Sequence, residues 1–408
     1  MIHEANSDIM EPPRPTVYIP VKPPVPQITI SPKILGPFEN MLRYSGLDLS
    51  RSPVAMSGSW ARSIFVITLC TLICLVMLLK CIILVTESVK PMTLEWTVSC
   101  IWCFMAIHGF ASALCVASWT RTCLLPSLQD ILAKFQTQRG ALNCDPTNVY
   151  RRIFFFATLF ISTWTLASMK GILYDGRHIN ESSAFTISYP ITLSTMFGVE
   201  PLVLLMMAFS STLAMIIHVL VFVHVNHEWT SYNEELANSS KLQQLVIPEI
   251  LNAFSTRQSE LLRLAKFVSD RMSVFVTVST VFASLTAADA LYLMAGFEEI
   301  SMVMRIMALL WMNCAIGLIL TTLKQPGKTQ CEIKNTAQIL LDDDLLQSAQ
   351  EDKCWRTCRS MIDRAHHNST KMYFMQAFAI DQHFLHRILF IAPNIGTLLV
   401  LIKKMGLV

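Results

Sequence analysis

Residues 196–225 read MFGVEPLVLLMMAFSSTLAMIIHVLVFVHV, thirty consecutive positions that contain one acidic side chain and no lysine or arginine. A helix needs about 20 mostly apolar residues to cross the hydrocarbon core of a bilayer. The stretch therefore predicts a membrane-spanning helix, and it is longer than one crossing requires.

Six other apolar runs predict further spans. They lie near residues 63–84, 92–119, 153–172, 273–296, 301–322 and 384–402. The last is the least regular, because Pro393, Asn394 and Gly396 interrupt it, and disturbed backbone at membrane depth needs neighbouring protein to cover it. The whole chain is 53% hydrophobic and 15% charged, too apolar for a water-soluble globule. We therefore predict an all-α, polytopic membrane protein with seven transmembrane helices.

The basic residues predict the orientation of these helices. If the N-terminus is cytoplasmic, nearly all lysines and arginines fall on the inside, and the outer loops hold little beyond Lys90 and Arg177. The short connection between the second and third helices ends in Arg151 and Arg152, and such loops carry most weight in the positive-inside rule. The sequence thus predicts a cytoplasmic N-terminus and an extracellular C-terminus, which is upside down relative to a G-protein-coupled receptor.

The segments outside the predicted spans differ in character. Residues 1–55 are polar and proline-rich, and we interpret them as a mobile cytoplasmic tail before a transmembrane domain of residues 56–408. Segments 226–272 and 323–383 instead carry apolar residues at helical spacing, with Pro248 as an interruption. Such stripes must pack on something, either the membrane surface or a cytoplasmic bundle between subunits. We predict that they extend helices four to seven into a cytoplasmic anchor.

Cysteines and sequons agree with this topology. The 12 cysteines fall in predicted helices or cytoplasmic loops, so no extracellular disulfide framework is expected. Of three N-x-S/T sequons only Asn180 lies in an outer loop, and it is the predicted glycosylation site. Cys354 and Cys358 with the following histidines do not match a zinc-ligand spacing. No metal and no cofactor is predicted.

The motifs of common enzymes do not occur. The chain has no H-E-x-x-H, no G-x-S-x-G and no phosphate-binding glycine loop, and it holds only 13 glycines. We expect neither an enzyme nor a nucleic-acid-binding protein. A chemosensory channel, a G-protein-coupled-type chemoreceptor and a transporter remain, and the transporter is disfavoured because no repeated broken helices are found.

Ionisable residues in the outer halves of the helices are candidate ligand contacts. Glu95, Glu200, Asp289 and Arg305 would either share an outer cavity, or Asp289 would pair with Arg305 while the two glutamates lie at headgroup level. His108, in the middle of the second helix, is interpreted as a hydrogen-bonded packing residue, with a proton-sensitive site as the alternative.

The C-terminal sequence has a recognisable pattern. Residues 377–385, AFAIDQHFL, and the apolar run that follows resemble the end of the arthropod gustatory receptor family, which is related to the insect odorant receptors. That family places an F-x-I-D-x-x-L element before its last helix, then Thr-Tyr, about five apolar residues and Gln-Phe. Thr397 and most of the apolar run are kept here. Leu398, Lys404 and Met405 replace the tyrosine, glutamine and phenylalanine.

The resemblance implies a ligand-gated, nonselective cation channel. It implies a homotetramer or heterotetramer in the plasma membrane of sensory neurons, with the seventh helix lining a central pore at Thr397, Leu401, Lys404 and Met405. Four lysines near the outer mouth would repel cations. Either Lys403 and Lys404 extend to lipid headgroups, or they alter conductance, or the subunit conducts only beside a different partner.

The resemblance also implies a pocket for a small-molecule tastant among helices two to six, open to the outside. Aromatic walls with a few polar anchors suit such a ligand. The candidate pocket residues are Glu95, Trp102, Trp164, Glu200, Asp289, Tyr292 and Arg305, and other aromatic residues at this depth are Trp96, Phe197 and Trp311.

Overall fold

The computed structural model describes nine stretches of the chain: residues 34–49, 60–86, 91–139, 147–178, 196–298, 300–348, 352–366, 373–374 and 378–406. Eleven α-helices lie in them: α1 Glu39–Tyr44, α2 Trp60–Thr86, α3 Leu94–Arg121, α4 Leu124–Arg139, α5 Thr147–His178, α6 Met196–Lys241, α7 Pro248–Gly296, α8 Met302–Leu341, α9 Asp344–Ser348, α10 Asp352–His366 and α11 Gln382–Lys404. A two-stranded antiparallel ladder joins β1 Tyr373–Phe374 to β2 Phe378–Ala379. The predicted all-α class is confirmed.

Five of the described helices are long and apolar enough to cross a membrane. They are α3, α6, α7, α8 and α11, with an apolar core also in α2 at Ile67–Leu79. The helices α2 and α5 occupy the predicted first and third spans, so a helix lies at each of the seven predicted positions. The chain is a multi-pass helical membrane protein.

Three helices are about twice as long as a membrane span requires. Helices α6, α7 and α8 contain 46, 49 and 40 residues, which at 1.5 Å per residue is roughly 60–75 Å. Their ends beyond the predicted spans pack with α10 into what we call the anchor bundle. Pro248 stands at the first position of α7, where its missing N–H costs nothing.

Side-chain caps determine where several helices begin. The Thr93 hydroxyl accepts a hydrogen bond from the backbone N–H of Trp96 at the start of α3, and Ser301 caps α8 in the same way. At the start of α11 the Asp381 carboxylate accepts from the N–H of Phe384 at 2.8 Å. The aspartate of the C-terminal pattern thus has a physical role, because it satisfies a free N–H at the beginning of the last helix.

Residues 34–49, which the sequence assigned to the tail of residues 1–55, pack into the fold. Ile34, Phe38 and Leu47 are buried. The Tyr150 hydroxyl of α5 donates to the carbonyl of Ile34 at 3.2 Å. The Thr120 hydroxyl of α3 donates to the carbonyl of Leu47 at 3.0 Å. Sequence reasoning missed this segment because proline and polar residues surround its few apolar side chains.

Helix α11 packs on α7 through small residues. Ala392 and Gly396 are buried, and a Cβ atom on Gly396 would lie 2.7 Å from the carbonyl oxygen of Ala288. The helix runs without interruption through Pro393 and Asn394. The Asn394 side-chain amide donates to the carbonyl of Phe390 at 2.7 Å, whereas the carbonyl that lacks its helical donor because of Pro393 is that of Leu389.

Candidate functional site

A small cavity lies between α3, α5, α7 and α8, within the predicted membrane-spanning part. We call it the four-helix cavity. Its volume is about 20 Å³, room for about one water molecule. No charged side chain is among the residues that line it, which are Phe104, Met105, His108, Trp164, Phe282, Ala283, Thr286, Trp311, Cys314, Ala315 and Leu318.

His108 forms the polar wall of the cavity. Its Nδ1 lies 3.0 Å from the Ser211 hydroxyl of α6, and its Nε2 lies 2.9 Å from the Ser279 hydroxyl of α7. The ring centroid is 6.3 Å from that of Trp164. His108 therefore joins four helices, and both of its nitrogens have partners. This arrangement agrees with the hydrogen-bonded packing role inferred from the sequence.

Trp311 supplies an unpaired donor at the same place. Its side chain is fully buried and lines the cavity, and its indole Nε1 has no hydrogen-bond partner among the described residues. An unpaired buried donor costs about 1–3 kcal/mol, so an acceptor placed there gains that energy back. A bound molecule whose oxygen acceptor reaches the Nε1 atom would satisfy the indole.

Several buried polar atoms near this level are unpaired, among them the hydroxyls of Ser284 and Thr280 on α7, and two of them lie toward the predicted outer side. These two are the indole Nε1 of Trp102 on α3 and one carboxylate oxygen of Asp289 on α7. Asp289 follows the cavity residue Thr286 by three positions, about 4.5 Å along the helix axis. Buried polar atoms without partners are rare in proteins. Polar groups without partners therefore also occur toward the predicted outer side of the cavity.

Of the seven predicted pocket residues, Trp164 lines the four-helix cavity. Trp102, Asp289 and Tyr292 are buried nearer the predicted outer ends of α3 and α7, and the Tyr292 hydroxyl donates to the carbonyl of Met92 at 3.1 Å. The structure thus brings the aromatic candidates to the same part of the bundle, but in two layers.

The remaining polar candidates do not meet there. Glu95 is half-buried in the first turn of α3. Arg305 is exposed and donates to the carbonyl of Glu298 at 3.0 Å, and its side chain makes no ion pair with Asp289. The proposed pairing of these two residues is therefore wrong. The Glu200 side chain and Asn180 lie outside the described residues.

The four predicted pore residues share one face of α11. Thr397 and Lys404 are exposed, and Leu401 and Met405 are 50% and 62% exposed. The four residues lie within an arc of about 100° around the helix axis. This arc is on the side of α11 away from the face that packs on α7. Large apolar side chains continue this face toward the start of the helix, with Phe390 72% exposed. In the described part of a single chain, no other element packs on this face.

The two C-terminal lysines have different surroundings. Lys403 turns toward α7, where its ammonium nitrogen is 3.1 Å from the ring centroid of Phe297 and 5.8 Å from that of Tyr292. This is cation–π geometry, which stabilises a partly desolvated ammonium. Lys404 remains exposed on the proposed pore face.

In the anchor bundle, α10 is held to α7 through Arg364. Its guanidinium donates to the carbonyl of Ser255 at 3.2 Å and to the hydroxyls of Ser255 and Ser259. Burial lowers the pKa of Arg364, and the neighbouring Tyr232 partly offsets this. Burial also raises the pKa of the Cys358 thiol to about 11. That thiol is therefore protonated at neutral pH.

Sequence reasoning missed most of the cavity lining. Phe104, Met105, Phe282 and Leu318 carry no sign that separates them from ordinary helix packing, because every buried face of a membrane helix has such residues. The sequence predicts the depth of Trp311, but it has no feature that marks this tryptophan as a ligand contact. An indole without a partner is visible only once the helices are assembled.

Comparison with solved structures identifies the fold. The insect olfactory receptor OR5 from Machilis hrabei in complex with eugenol matches with a TM-score of 0.67 at 12% identity, over 90% of this chain and 97% of the receptor chain. A further structure of the same receptor matches with a TM-score of 0.64 at 13% identity, with the same coverage. The chain shares the fold of this insect olfactory receptor, and the insect-type chemoreceptor fold that the C-terminal pattern suggested is confirmed.

The family is identified by sequence. The model of the Caenorhabditis protein family of unknown function DUF267 matches residues 34–396. The chain belongs to this family. Among curated proteins none matches the sequence. The family match starts at the first residue of the described fold and ends within α11, before the proposed pore residues Leu401 and Met405.

Proposed function

We propose that the chain is a subunit of a chemosensory cation channel, opened by a small neutral molecule that binds in the four-helix cavity. The observation that carries this proposal is the unpaired Trp311 indole in a buried, uncharged, largely aromatic cavity. The fold is shared with a receptor whose structure contains eugenol. Eugenol itself is small, aromatic and uncharged, which is the class of ligand that this lining would accept.

The size of the cavity constrains how a ligand binds. A volume of about 20 Å³ is too small for an organic ligand, since typical pockets measure about 300–1,000 Å³. Binding must therefore displace side chains, and Met105 with its three rotatable bonds is best suited to move. A ligand that separates α8 from α3 and α5 would bind the more open conformation better, and so would shift the population toward it.

The pore in this proposal is formed by α11 from four subunits. Its exposed face carries Thr397, Leu401, Lys404 and Met405, and apolar rings can close a narrow pore by excluding water. Assembly around this face would cover the apolar side chains that a single chain leaves exposed. Anchor segments 226–272 and 323–383 would hold the subunits together.

The proposal also covers the class of ligand, the cellular location and the subunit composition of the channel. The ligands would be tastants, and the channel would act in the plasma membrane of sensory neurons, as a homotetramer or with related subunits. A predicted extracellular sequon at Asn180 fits that location. Glu95, Trp102, Asp289, Tyr292 and Arg305, with Glu200, would then line the route by which a ligand enters from outside.

Trp311→Phe tests the ligand site. In oocytes that express the chain, alone and with related subunits, small phenols and hydrocarbons of matching shape are applied and the cation current is recorded. The variant keeps a six-membered aromatic ring but loses the pyrrole ring with its N–H donor. The loss of packing is common to both ligand classes, so the difference between phenols and hydrocarbons reports the donor. We expect the half-activating concentration of oxygen-bearing ligands to rise about 10- to 100-fold, the cost of one buried hydrogen bond. Hydrocarbon ligands should be affected much less.

Trp355→Phe is the matched control, because Trp355 is 41% exposed on α10 in the anchor bundle. It should leave both ligand classes unchanged. Equal shifts for phenols and hydrocarbons in Trp311→Phe would contradict a donor role for the indole. A response carried by a G protein, without ligand-evoked current, would contradict the channel itself.

A further inference from the structure

Below the predicted membrane span, hydrogen bonds from hydroxyl groups that repeat every seven residues join α6 to α8 and to Asp343, which lies just after the end of α8. The donor–acceptor distances are 2.6, 2.6 and 2.7 Å for Thr329 to Asn226, Thr336 to Asn233, and Ser240 to Asp343. A seven-residue repeat is that of two helices in coiled-coil contact. We call these pairs the polar ladder.

The polar ladder fixes the register of the two helices. The Asn233 amide also donates to the carbonyl and a carboxylate oxygen of Glu332, at 2.9 and 3.0 Å. A shift of α8 along α6 would break all of these bonds together, and buried polar groups left unpaired are costly. This half of α8 is therefore fixed to α6.

Pro326 separates the fixed half of α8 from the half that lines the cavity. It lies inside the helix and is buried with Gly327. Because proline has no N–H, the carbonyl of Thr322, four residues earlier, loses its normal helical donor. Sharp bends in helices occur at such positions. The cavity residues Trp311 and Leu318 lie on the outer side of this point.

His218 of α6 replaces the missing donor. Its Nε2 lies 3.0 Å from the Thr322 carbonyl oxygen, and the side chain is fully buried. A carbonyl can only accept, so Nε2 carries the proton and Nδ1 is left as a bare acceptor. In the described structure that Nδ1 has no partner. The histidine thus closes the gap in α8 with one bond and keeps a second polar atom unsatisfied.

Aromatic contacts connect this bond to the cavity. The His218 ring lies 5.4 Å from Phe275 of α7, measured between centroids, and Phe275 lies 6.2 Å from His108 in the cavity wall. A ligand that displaces His108 or the outer half of α8 therefore acts on the packing around His218. Physical contact of this kind permits coupling, and only a coupling measurement establishes it.

We propose that Pro326 is a hinge in α8, and that the His218 to Thr322 hydrogen bond holds the hinge in its closed geometry. The outer half of α8 moves with the ligand, and the polar ladder keeps the inner half in place. His218 is a positioning residue, since it acts through α8 and does not contact the cavity. The hinge proposal rests on the proposed function only where the experiment measures ligand-evoked ionic current.

A double-mutant cycle between His218→Phe and Pro326→Ala tests whether the His218 to Thr322 hydrogen bond holds the hinge closed. Alanine at 326 restores a backbone N–H to Thr322, so the histidine bond becomes redundant. Thermal unfolding of the purified full chain in detergent is measured for all four proteins. We expect His218→Phe to lower the midpoint by several degrees in the native background and by much less in Pro326→Ala. His218→Gln, which keeps a donor, should recover most of the loss.

Pro248→Ala serves as the control, because that proline stands at the start of α7 and leaves no carbonyl unpaired. Its cycle with His218→Phe should be additive. Additive behaviour in the Pro326 cycle as well would overturn the proposal.

Current recordings then test whether the hinge takes part in gating. Pro326→Ala should raise the half-activating ligand concentration about tenfold, the effect of about 1.4 kcal/mol on a two-state equilibrium. If currents are present and unchanged, the hinge has no role in gating and the proposal fails. If no protein gives a current, hydrogen exchange of residues 323–333 decides. Faster exchange in His218→Phe but not in the double variant supports the hinge, and equal exchange overturns it.

Discussion

At the scale of single residues, a few side chains have properties that their sequence neighbours do not reveal. Trp311 and Trp102 are both buried with unpaired indole N–H groups. Lys403 and Lys404 are adjacent, yet one lies over the Phe297 ring and the other is exposed. A residue's position around its helix, and not its type, decides which of these lysines can reach the pore.

Gly396 permits the close contact between α11 and α7. Replacing it with alanine places a Cβ atom 2.7 Å from the Ala288 carbonyl oxygen, so the helices must separate. We expect Gly396→Ala to reduce the stability of the chain by about 1–3 kcal/mol, the usual cost of overpacking. Thermal unfolding in detergent measures this.

The control is Gly317→Ala on α8, because no atom of another described element lies within 4 Å of the added methyl group. That change should be neutral or stabilising, since alanine is the better helix former by about 1 kcal/mol. Equal losses for the two variants would show that the glycines act through backbone flexibility and not through contact.

At the scale of secondary-structure elements, sequence reasoning succeeded where periodicity and composition decide the outcome. Apolar length predicted the position of each span. Pro248 was predicted to interrupt the helical pattern, and in the structure it is the first residue of α7, a position that suits proline. Residues 34–49 were misassigned to the tail, since their burial depends on α3 and α5, which are distant in sequence. The polar ladder was not predicted, although its seven-residue spacing is visible in the sequence.

The charge of Lys404 should limit cation conduction through a pore lined by α11. If four copies surround the outer mouth of a pore, their charges repel cations. Lys404→Gln should therefore increase the single-channel conductance for cations at least about twofold. Lys403→Gln is the control, because that side chain packs on Phe297 and faces away from the pore face. Equal conductance in all three proteins would place Lys404 outside the pore.

At the scale of the whole molecule, the cavity, the hinge and the proposed pore helix are linked through α7 and α8. Helix α7 contacts the cavity through Thr286 and α11 through Ala288, two residues farther along. A ligand that moves α7 and α8 can thus act on α11 directly. The site was predicted only in part. Its tryptophans were recognisable from their depth and residue type. The apolar lining and the absence of an Asp289 to Arg305 pair depend on three-dimensional packing.

The central claim is that ligand binding opens a cation pore lined by α11. It is tested most directly by Leu401→Cys, recorded in oocytes while a positively charged thiol reagent is applied from outside during ligand-evoked current. Val400→Cys, on the buried side of the same helix, is the control. The account predicts that the reagent blocks the current of Leu401→Cys and leaves Val400→Cys and the native chain unchanged. An unmodified current in Leu401→Cys, or no ligand-evoked current in any of the three proteins, would contradict it.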